Sequence, residues 1–316
     1  MKVLITTIPF GENNVAPLKM LKKNSIKYVI NPFHKKITEN QLKEIIHEYD
    51  AIIAGTEPIS QAVLKKATKL KLISRVGSGI KNIDIEYAKK NGIKISYTPD
   101  APTNAVSEIT IGFVLSLLRN IKSFDTMTHA KTWEKKLTAG IESSIIGILG
   151  FGRIGKKVFK LINQFEPKKI LIHDPYESKK QSKYKEYFVS FKKLLKESDL
   201  ITIHVPDTEK TKNMITLKEL ENMKRGSVIV NTSRGSVINE NDLYKALKKQ
   251  HLKSAALDVF GIEPYDGKLS ELENCILTPH ISSYTIQARN LMELEAVKEV
   301  IRIKKNKRLK SEYFVT

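Results

Sequence analysis

The chain has 316 residues, enough for two domains of ordinary size, and 41% of them are hydrophobic, as in globular rather than disordered or fibrous proteins. No apolar run approaches the roughly 20 residues that span a bilayer, and no small-residue cleavage site follows the apolar start. We therefore expect neither a membrane anchor nor a signal peptide. The single cysteine, Cys275, excludes an intramolecular disulfide and favours a reducing cytoplasm.

The net charge of +20 raises the question of a nucleic-acid partner. Only eight of the 54 basic residues are arginine, and the 46 lysines are scattered, often as pairs, over nearly every predicted helix. Base recognition favours clustered arginine with interleaved aromatic side chains, and neither occurs here. The densest cluster, residues 302–310, falls at the end of the last predicted helix, where the helix dipole favours cations. We therefore expect solvated lysine faces and no nucleic-acid partner.

Short β-branched runs alternate with helical stretches along the chain, the pattern of parallel α/β sheets. A break at 99–102 divides the strands into two series. Asn104 follows the break and is a good N-cap for a long apolar helix that we expect to end near Asn120. Strands are predicted at 2–6, 27–30, 51–54, 70–75 and 93–96, and then at 145–149, 169–173, 200–203, 228–230, 255–257 and 276–277.

Each strand of the second series is followed at its carboxyl end by a glycine or a polar residue. Ligands of doubly wound parallel sheets bind at that edge. Random placement would put such residues at both ends of the strands, so the coincidence indicates a ligand site. The residues that follow the six strands are Gly150, Asp174, His204, Asn231, Asp258 and Thr278.

The stretch GILGFGRIG places three glycines after the first of these strands. Gly150 would allow a tight turn, Gly152 would let a pyrophosphate approach the backbone, and Gly155 would let the helix pack on the strand. The helix that begins at Arg153 would present free N–H groups and its positive dipole end to the pyrophosphate. The pattern predicts a dinucleotide-binding loop.

Asp174 supports this interpretation, because it lies 19 residues past Gly155 at the end of the next strand. An acidic residue there accepts hydrogen bonds from the adenosine ribose hydroxyls and repels a 2′-phosphate. The predicted cofactor is therefore NAD rather than NADP, although Lys179 and Lys180 leave some tolerance of NADP open. The alternative interpretation is a structural glycine turn with a surface aspartate.

Three further residues have the chemistry for hydride transfer to a 2-oxo acid: Arg234 in NTSRGS, Glu263 in LDVFGIEP and His280 in LTPHISS. A planar guanidinium binds carboxylate and carbonyl oxygens, and a histidine exchanges protons near neutral pH. A carboxylate against the imidazole would fix its tautomer and favour its protonated form. Singly, each residue also has a structural interpretation, as an exposed arginine, a loop glutamate or a partly buried histidine. Their place beside the cofactor edge favours catalysis.

With these motifs, the chain resembles the D-isomer-specific 2-hydroxyacid dehydrogenase family, particularly its phosphoglycerate-dehydrogenase-like branch. The resemblance implies an NAD-dependent oxidoreductase that transfers hydride between the nicotinamide and a small D-2-hydroxy acid or 2-oxo acid, 3-phosphoglycerate included. The matching motifs span most of the chain: SRVGSGIKNID at 74–84, GILGFGRIG at 147–155, VNTSRGSVI at 230–238, ALDVFGIEP at 256–264 and LTPHISSYT at 277–285.

The resemblance implies an α/β fold of two doubly wound Rossmann- or flavodoxin-like parallel-sheet domains with an active-site cleft between them. Residues 1–98 and 286–316 would form the substrate (catalytic) domain, and 99–285 would form the NAD-binding domain. It further implies a cytoplasmic homodimer built with the helix after Asn104 and the segment around Trp133. A small 2-oxo or 2-hydroxy acid is the expected partner, without a metal ion.

The resemblance also assigns roles to single residues. Arg234, Glu263 and His280 would form the catalytic triad, and Asp258 would hold the nicotinamide carboxamide. Backbone N–H groups of Val76, Gly77 and Ser78 would bind the substrate carboxylate. The remaining cofactor contacts would come from Gly150, Gly152, Arg153, Ile154, Gly155, Asp174, Pro206, Thr232 and Ser233.

One departure from the family concerns the substrate. Phosphoglycerate dehydrogenases typically place an Arg-Ser pair after the third strand to hold the phosphate, whereas residues 54–57 here read AGTE, and Glu57 would repel a phosphate if it faced the site. Lys81, Lys135 and Lys136 either restore phosphate binding or are plain surface charges. Two alternatives therefore stay open: a hydroxypyruvate or glyoxylate reductase, and a nucleotide-sensing binding protein on the same scaffold.

Overall fold

The computed structural model describes residues 1–177 and 182–313 and divides the chain into two compact units. Unit 1 comprises Met1–Pro102 and the chain from Tyr284 onward, and unit 2 is the continuous segment Thr103–Ser283. Each unit contains one sheet, and all strand pairs within both sheets are parallel. None of the described helices is long and apolar enough to cross a membrane.

Unit 1 is built on five short strands: β1 (Lys2–Ile5), β2 (Lys27–Ile30), β3 (Ala51–Ala54), β4 (Leu72–Arg75) and β5 (Lys94–Ser96). Their order in the sheet is β2-β1-β3-β4-β5, so the direction of strand addition reverses between β1 and β3. The intervening helices are α1 (Ala16–Lys23), α2 (Glu39–Ile45), α3 (Gln61–Lys66) and α4 (Ile85–Lys90).

Side-chain caps define where three of these short helices begin. Thr38 and Gln41 form a capping box at α2, with Thr38 Oγ1 accepting the Gln41 N–H at 3.3 Å and Gln41 Oε1 accepting the Thr38 N–H at 3.0 Å. Ser60 caps α3 and Asp84 caps α4 in the same position. Each cap stabilises its helix by about 1 kcal/mol, which matters because helices of six or seven residues are not stable alone.

Unit 2 carries six strands in the order β11-β10-β9-β8-β6-β7: β6 (Ile145–Leu149), β7 (Lys169–His173), β8 (Leu200–Ile203), β9 (Val228–Asn231), β10 (Ser254–Leu257) and β11 (Cys275–Leu277). Its helices cover both faces of the sheet. They are α5 (Thr103–Leu118), α6 (Ile121–His129), α7 (Arg153–Asn163), α8 (Phe191–Glu197), α9 (Leu217–Glu221) and α10 (Glu240–Lys248).

Buried apolar side chains fill the space between this sheet and the helices. Phe113 of α5 and Val158 of α7 pack on one face, and Leu194 of α8, Leu220 of α9 and Leu243 of α10 pack on the other. A sheet covered on both faces has strands that are apolar throughout, which explains the uninterrupted burial along β8.

The strand order of unit 2 reverses between β6 and β8. A crevice opens at such a reversal at the carboxyl ends of the strands, and ligands of open α/β sheets bind there. A one-residue parallel bridge between Ile172 and Phe188 extends the sheet beyond β7. With this bridge counted as a strand, the unit has the strand order of the dinucleotide-binding fold.

The last helix, α11 (Ile286–Lys304), returns to unit 1 and packs on β3, β4 and α1. It buries Met292, Ala296, Val297 and Val300 against them. The Ser74 hydroxyl of β4 donates to the Ala296 carbonyl at 3.0 Å. Unit 1 therefore consists of two chain segments that are far apart in the sequence.

The eleven strands occupy the positions predicted from the sequence, with ends that differ by at most two residues. The helix after the break differs, because α5 begins at Thr103, so the prediction of Asn104 as its N-cap is wrong. The helix starts directly after Pro102, whose ring has the backbone angle of a helix entry and lacks an N–H that would need a partner. Asn120 has left-handed φ of 51° and separates α5 from α6.

Candidate active site

The three predicted catalytic residues follow three neighbouring strands of unit 2. Arg234 lies just after β9, Glu263 after β10 and His280 after β11. These strands are adjacent and parallel, so their carboxyl ends share one edge of the sheet. The fold of unit 2 therefore places all three residues on the edge where the glycine loop also lies.

The loop between β6 and α7 has a backbone that requires glycine at two positions. Gly150 has φ of +93°, and a Cβ there would lie 2.7 Å from the carbonyl carbon of His204. A Cβ at Gly155 would lie 2.1 Å from the carbonyl oxygen of Gly150, so α7 packs on the loop as closely as only glycine permits. A Cβ at Gly152 would instead meet open space within the described structure.

The start of α7 fits a dinucleotide pyrophosphate. Gly152 occupies the N-cap position, and no side chain caps the helix there. The first N–H groups of a helix have no partner within the helix, so the turn that begins with Arg153 and Ile154 can donate to a bound anion. The helix has 11 residues, and the positive end of its dipole lies at this loop. The residues present thus form a cradle that suits the phosphates of NAD.

Asp174 lies directly after β7 and is bonded to the glycine loop. Its Oδ2 accepts the Phe151 N–H at 2.8 Å, and its Oδ1 accepts the N–H groups of Tyr176 at 2.9 Å and Glu177 at 3.0 Å. A carboxylate offers about four acceptor positions, so one remains for a ribose hydroxyl. Lys179 and Lys180, which bear on the use of NADP, lie outside the described residues.

Arg234 is held in a turn that Asn231 organises. The buried Asn231 accepts the N–H of Ser233 at 3.0 Å and its hydroxyl at 2.8 Å, and donates to the Arg234 carbonyl at 2.9 Å. Nη1 of Arg234 donates to the Ser233 carbonyl at 2.6 Å. Oγ1 of Thr232 lies 2.9 Å from Oγ1 of Thr110, which ties the turn to α5. The role of Asn231 was not predicted, although a polar residue ending an apolar strand was its signal.

Glu263 and His280 form a hydrogen-bonded pair. Nδ1 of His280 lies 2.8 Å from Oε2 of Glu263, and the other carboxylate oxygen accepts the Phe260 N–H at 3.1 Å. The His280 side chain is 47% exposed. Since Nδ1 is bonded to the carboxylate, Nε2 is the ring nitrogen that can exchange a proton with a ligand.

Asp258 anchors the segment that carries His280. This fully buried carboxylate accepts the Thr278 hydroxyl at 2.5 Å and the N–H groups of Ile281 and Ser282 at 2.8 Å each. The bonded residues flank His280, whose φ of 54° is uncommon for a residue with a side chain. Asp258 thus fixes the histidine, and one acceptor position of its Oδ2 remains for the predicted carboxamide contact.

Backbone contacts join the arginine turn to the loop of the catalytic carboxylate. A Cβ at Gly235 would lie 1.9 Å from the carbonyl carbon of Phe260, so the two backbones touch. Glu240, at the start of α10, accepts the Gly261 N–H at 2.6 Å. Because Phe260 also donates to Glu263, the arginine turn and the carboxylate loop form one packed assembly.

A second histidine, His204, follows β8 at the same edge. Its Nε2 lies 2.9 Å from Oγ1 of Thr202, and its Nδ1 is buried without a hydrogen-bond partner among the described residues. Burial lowers the pKa of His204 to about 3, so its ring is neutral near pH 7 and cannot donate a proton as an imidazolium. His280 is therefore the better proton donor. Pro206, a predicted cofactor contact, follows on this loop, and its carbonyl accepts the Thr211 hydroxyl at 2.6 Å.

Neither a metal ion nor the cysteine has a part in this geometry. Within 1–177 and 182–313, no group of three or more His, Cys, Asp or Glu side chains is arranged to hold a metal. Cys275 is buried, and burial raises the pKa of its thiol to about 12, so the group stays protonated.

The predicted substrate-binding residues follow β4 in unit 1. The Val76 N–H donates to the Ala54 carbonyl at 2.9 Å, and the Gly77 N–H donates to Oγ1 of Thr98 at 2.8 Å. Of the three predicted donors, only the N–H of Ser78 lacks a hydrogen-bond partner within the described part of the chain. The substrate-binding role of these residues stays a prediction, with Ser78 as the donor that unit 1 leaves available.

Glu57 lies at the carboxyl end of β3, beside the strand reversal of unit 1. Its side chain is buried, with 2% exposure, and its carboxylate accepts the Thr6 hydroxyl and the Gly55 N–H, the latter at 3.1 Å. Asn82 Nδ2 donates to the Glu57 carbonyl at 2.7 Å and fixes the backbone. A rigid carboxylate therefore follows β3 at the carboxyl edge of unit 1.

An arginine that the sequence did not single out closes the loop after β1. Arg289 of α11 donates to Oε1 of Glu293 at 2.7 Å and to Oγ1 of Thr7 at 2.9 Å. The other oxygen of Glu293 accepts the Gly11 N–H at 3.0 Å. Arg289 and Thr7 are 282 positions apart, so no local pattern reveals the contact.

Comparison with known proteins agrees with this geometry. The family model described as the NAD-binding domain of D-isomer specific 2-hydroxyacid dehydrogenases matches residues 111–282. The glyoxylate reductase of Thermococcus litoralis is 37% identical over 271 residues, which cover 82% of each chain. The D-3-phosphoglycerate dehydrogenase of Methanocaldococcus jannaschii is 38% identical over 276 residues, which cover 84% of this chain and 52% of that protein.

Among solved structures, the NAD⁺-bound 3-phosphoglycerate dehydrogenase of Entamoeba histolytica matches with a TM-score of 0.84 and 25% identity, covering 100% of this chain and 99% of the other. The fold, the dinucleotide cradle and the family match define an NAD-dependent oxidoreductase. The chain belongs to the D-isomer specific 2-hydroxyacid dehydrogenase family, as its motifs predict. Its relatives carry the names of different substrates, so membership alone does not fix the substrate.

Proposed function

We propose that this enzyme uses NADH to reduce a small, unphosphorylated 2-oxo acid, of the size of glyoxylate or hydroxypyruvate, to the D-2-hydroxy acid. The observation that carries the proposal is the buried carboxylate of Glu57 after β3, where the phosphoglycerate-dehydrogenase-like branch typically has a cation. The similarity to a glyoxylate reductase, which covers 82% of both chains, supports it.

Three side chains of unit 2 have different roles in the reduction of the substrate. Arg234 binds the substrate carboxylate and polarises the carbonyl, since its planar guanidinium can contact two oxygens at once. His280 gives a proton from Nε2 to the carbonyl oxygen as the alcohol forms, and takes it back in the reverse direction. Glu263 holds the imidazole at 2.8 Å and stabilises the positive ring before the proton leaves. NAD, when bound, supplies the hydride chemistry.

The residues that each unit contains indicate its role. Unit 2 contains the glycine cradle and all residues predicted to touch the cofactor, so it serves as the NAD-binding domain. Thr232 and Ser233 stand in the Asn231 turn, beside the arginine, where they would contact the cofactor. Unit 1 contains Ser78 and Glu57 and serves as the substrate domain.

A substrate panel tests the role of Glu57. We expect kcat/KM for hydroxypyruvate to exceed that for 3-phosphohydroxypyruvate at least about tenfold, because the phosphate charge is repelled by a fixed carboxylate. NADH oxidation, followed by absorbance, gives both values. Glu57→Gln should narrow the ratio, whereas Glu86→Gln, on an exposed position of α4, should leave it unchanged. A higher kcat/KM for the phosphorylated acid in the native enzyme would contradict the proposal.

Asp174→Asn tests the cofactor preference. The substitution keeps an acceptor oxygen for the neighbouring N–H groups but removes the charge that repels a 2′-phosphate. We expect the ratio of kcat/KM with NADH to that with NADPH to fall about tenfold, which corresponds to about 1.4 kcal/mol. Asp199→Asn is the matched control, because Asp199 also accepts a backbone N–H but lies at the opposite edge of the same sheet. An unchanged ratio in Asp174→Asn would place the ribose contact elsewhere.

The exposed apolar residues of unit 2 support assembly as a homodimer. The segment 132–140 has no regular secondary structure and presents Trp133, which is 82% exposed, and Leu137, which is fully exposed. Ile121, at the start of the neighbouring α6, is 53% exposed. Large apolar side chains of this kind are covered in most stable proteins, and a second copy of the chain would cover them. A monomer mass by light scattering would contradict this assembly.

A further inference from the structure

The amino-terminal edge of the unit 1 sheet, opposite the predicted substrate edge, contains a cavity of about 720 Å³. Five cationic side chains and a single carboxylate line it, so the charges of these side chains sum to about +4. They come from two separate parts of unit 1: the starts of the strands and the turn that follows α11. The charged lining residues are Lys71, Lys94, Lys304, Lys307 and Arg308, with Asp50 as the carboxylate.

The strand-start lysines are held at a fixed spacing by the backbone. The Lys71 N–H donates to the Asp50 carbonyl at 2.7 Å, and the Lys94 N–H donates to the Lys71 carbonyl at 3.0 Å. Lys71 directly precedes β4 and Lys94 begins β5, so the two lysines lie about 5 Å apart at the backbone. Neither ammonium has a carboxylate partner within 4 Å in the described chain.

The turn after α11 is fixed as well. The Lys307 N–H donates to the Arg302 carbonyl at 2.8 Å, and the Lys310 N–H donates to Oε2 of Glu299 at 2.9 Å. Leu309, between these bonds, is buried with 5% exposure and anchors the turn in the core of unit 1. The cations of this turn are therefore carried by an ordered backbone rather than by a loose tail.

Lys304 adds a cation whose position is fixed. Its ammonium donates to the carbonyls of Asn24 and Ser25, the latter at 2.9 Å, just past the end of α1. One of its three donor positions remains for a ligand. The only carboxylate of the lining, that of Asp50, already accepts the Lys2 N–H at 2.7 Å.

Ordinary explanations for surface lysine do not account for this cluster. A helix C-terminus attracts cations, which suits Lys304 at the end of α11, but Lys71 precedes β4 and Lys94 begins β5. Lys2 starts a strand at the same edge and pairs with Glu48, whereas the cavity lysines have no such partner within the described residues. The charge of the cavity lysines is thus left for a ligand from solution to neutralise.

We propose that this cavity binds a small molecule that carries a chain of phosphate groups. Several cationic side chains around one cavity suit an anion with charge spread over several phosphates better than a single carboxylate or sulfate. An open cavity of about 720 Å³ has room for a small molecule. The strands between the two edges have four residues or fewer, so the edges are roughly 13 Å apart, and the ligand would not compete with the 2-oxo acid.

Isothermal titration calorimetry tests the site. Inorganic triphosphate is the probe, and ATP carries the same chain of three phosphates on a nucleoside. The enzyme is saturated with NADH throughout, so that the dinucleotide cradle is occupied. We expect saturable binding of triphosphate at about 0.1 M salt, and a dissociation constant at least about tenfold higher in the double variant Lys71→Ala with Lys94→Ala. The matched control is Lys65→Ala with Lys66→Ala, which removes two exposed lysines of α3.

The titration results that support the proposal differ from those that overturn it. If the double variant Lys71→Arg with Lys94→Arg still binds triphosphate and the alanine double variant does not, binding depends on the positive charge of the two side chains. This conclusion holds even if the alanine double variant is less stable. Tighter binding of ATP than of triphosphate identifies a nucleotide ligand, and equal binding identifies the phosphate chain alone. Absence of saturable binding to the native enzyme, or equal weakening by the α3 control pair, overturns the proposal. The KM for hydroxypyruvate is expected to stay within about twofold in the cavity variants, independently of the substrate assignment.

Discussion

His280→Ala is expected to lower kcat for reduction of a 2-oxo acid by about 10²–10⁴-fold while leaving the affinity for NADH nearly unchanged. The imidazole is half-exposed, and its Nε2 is the nitrogen left free by the bond to Glu263. Removing it takes away the proton donor but none of the residues of the glycine cradle. Single-turnover measurements of NADH oxidation, with fluorescence titration of NADH binding, separate the two effects.

His129→Ala is the matched control for this loss. His129 is exposed on α6, where its ring lies 3.5 Å from Asp125, far along the chain from the predicted catalytic edge. Its replacement should leave kcat within about twofold. Turnover that survives in His280→Ala, or an equal loss in both variants, would show that another group delivers the proton.

Asp258→Ala is expected to lower both the melting temperature and kcat. Three donors, from Thr278, Ile281 and Ser282, would lose their buried acceptor, at a cost of about 1–3 kcal/mol for each group left unsatisfied. For a destabilisation of about 3 kcal/mol, the melting temperature falls by roughly 6–12 °C. The segment that carries His280 loses its anchor, and a displacement of about 1 Å costs roughly 100-fold in rate.

Asp199→Ala is a control that distinguishes an effect on the stability of unit 2 from an effect on the position of His280. Asp199 accepts the Ile145 N–H at 2.7 Å and pairs with Lys224 at 2.9 Å, but it lies at the amino-terminal edge of the same sheet. It should lower the melting temperature without lowering kcat well below that temperature. If both aspartate variants lower kcat equally, Asp258 acts on stability alone and does not position His280.

The fold was largely readable from the sequence because both sheets are parallel and buried. Strands covered on both faces appear as short apolar runs, and each of these runs was found within two residues of its predicted ends. The glycine loop was readable for a related reason. The positive φ of Gly150 and the tight packing of Gly155 are tolerated by one residue type, so the pattern of the loop is strict.

The contacts that hold the site were less predictable. The pairing of Glu263 with His280 follows from their strands, but the bond of Arg289 to Thr7 joins positions 282 apart in the chain. The hydrogen bond of Glu57 to Thr6 likewise joins two distant parts of the chain, since Thr6 directly follows β1. The sequence also does not show that the N–H of Gly77 is already taken by a hydroxyl. Such facts depend on which groups the tertiary fold brings together.

Because unit 1 consists of two separate chain segments, it can complete its fold only after unit 2 has been synthesised. Unit 2 is one continuous stretch, so a ribosome can release everything that its sheet needs before α11 emerges. The first segment of unit 1 precedes unit 2 in the chain but lacks the cover of α11, whose Met292 and Val297 reach β3 and β4 only after unit 2 has been made. Until then its sheet exposes an apolar face. The half of the molecule synthesised first is therefore the last to mature.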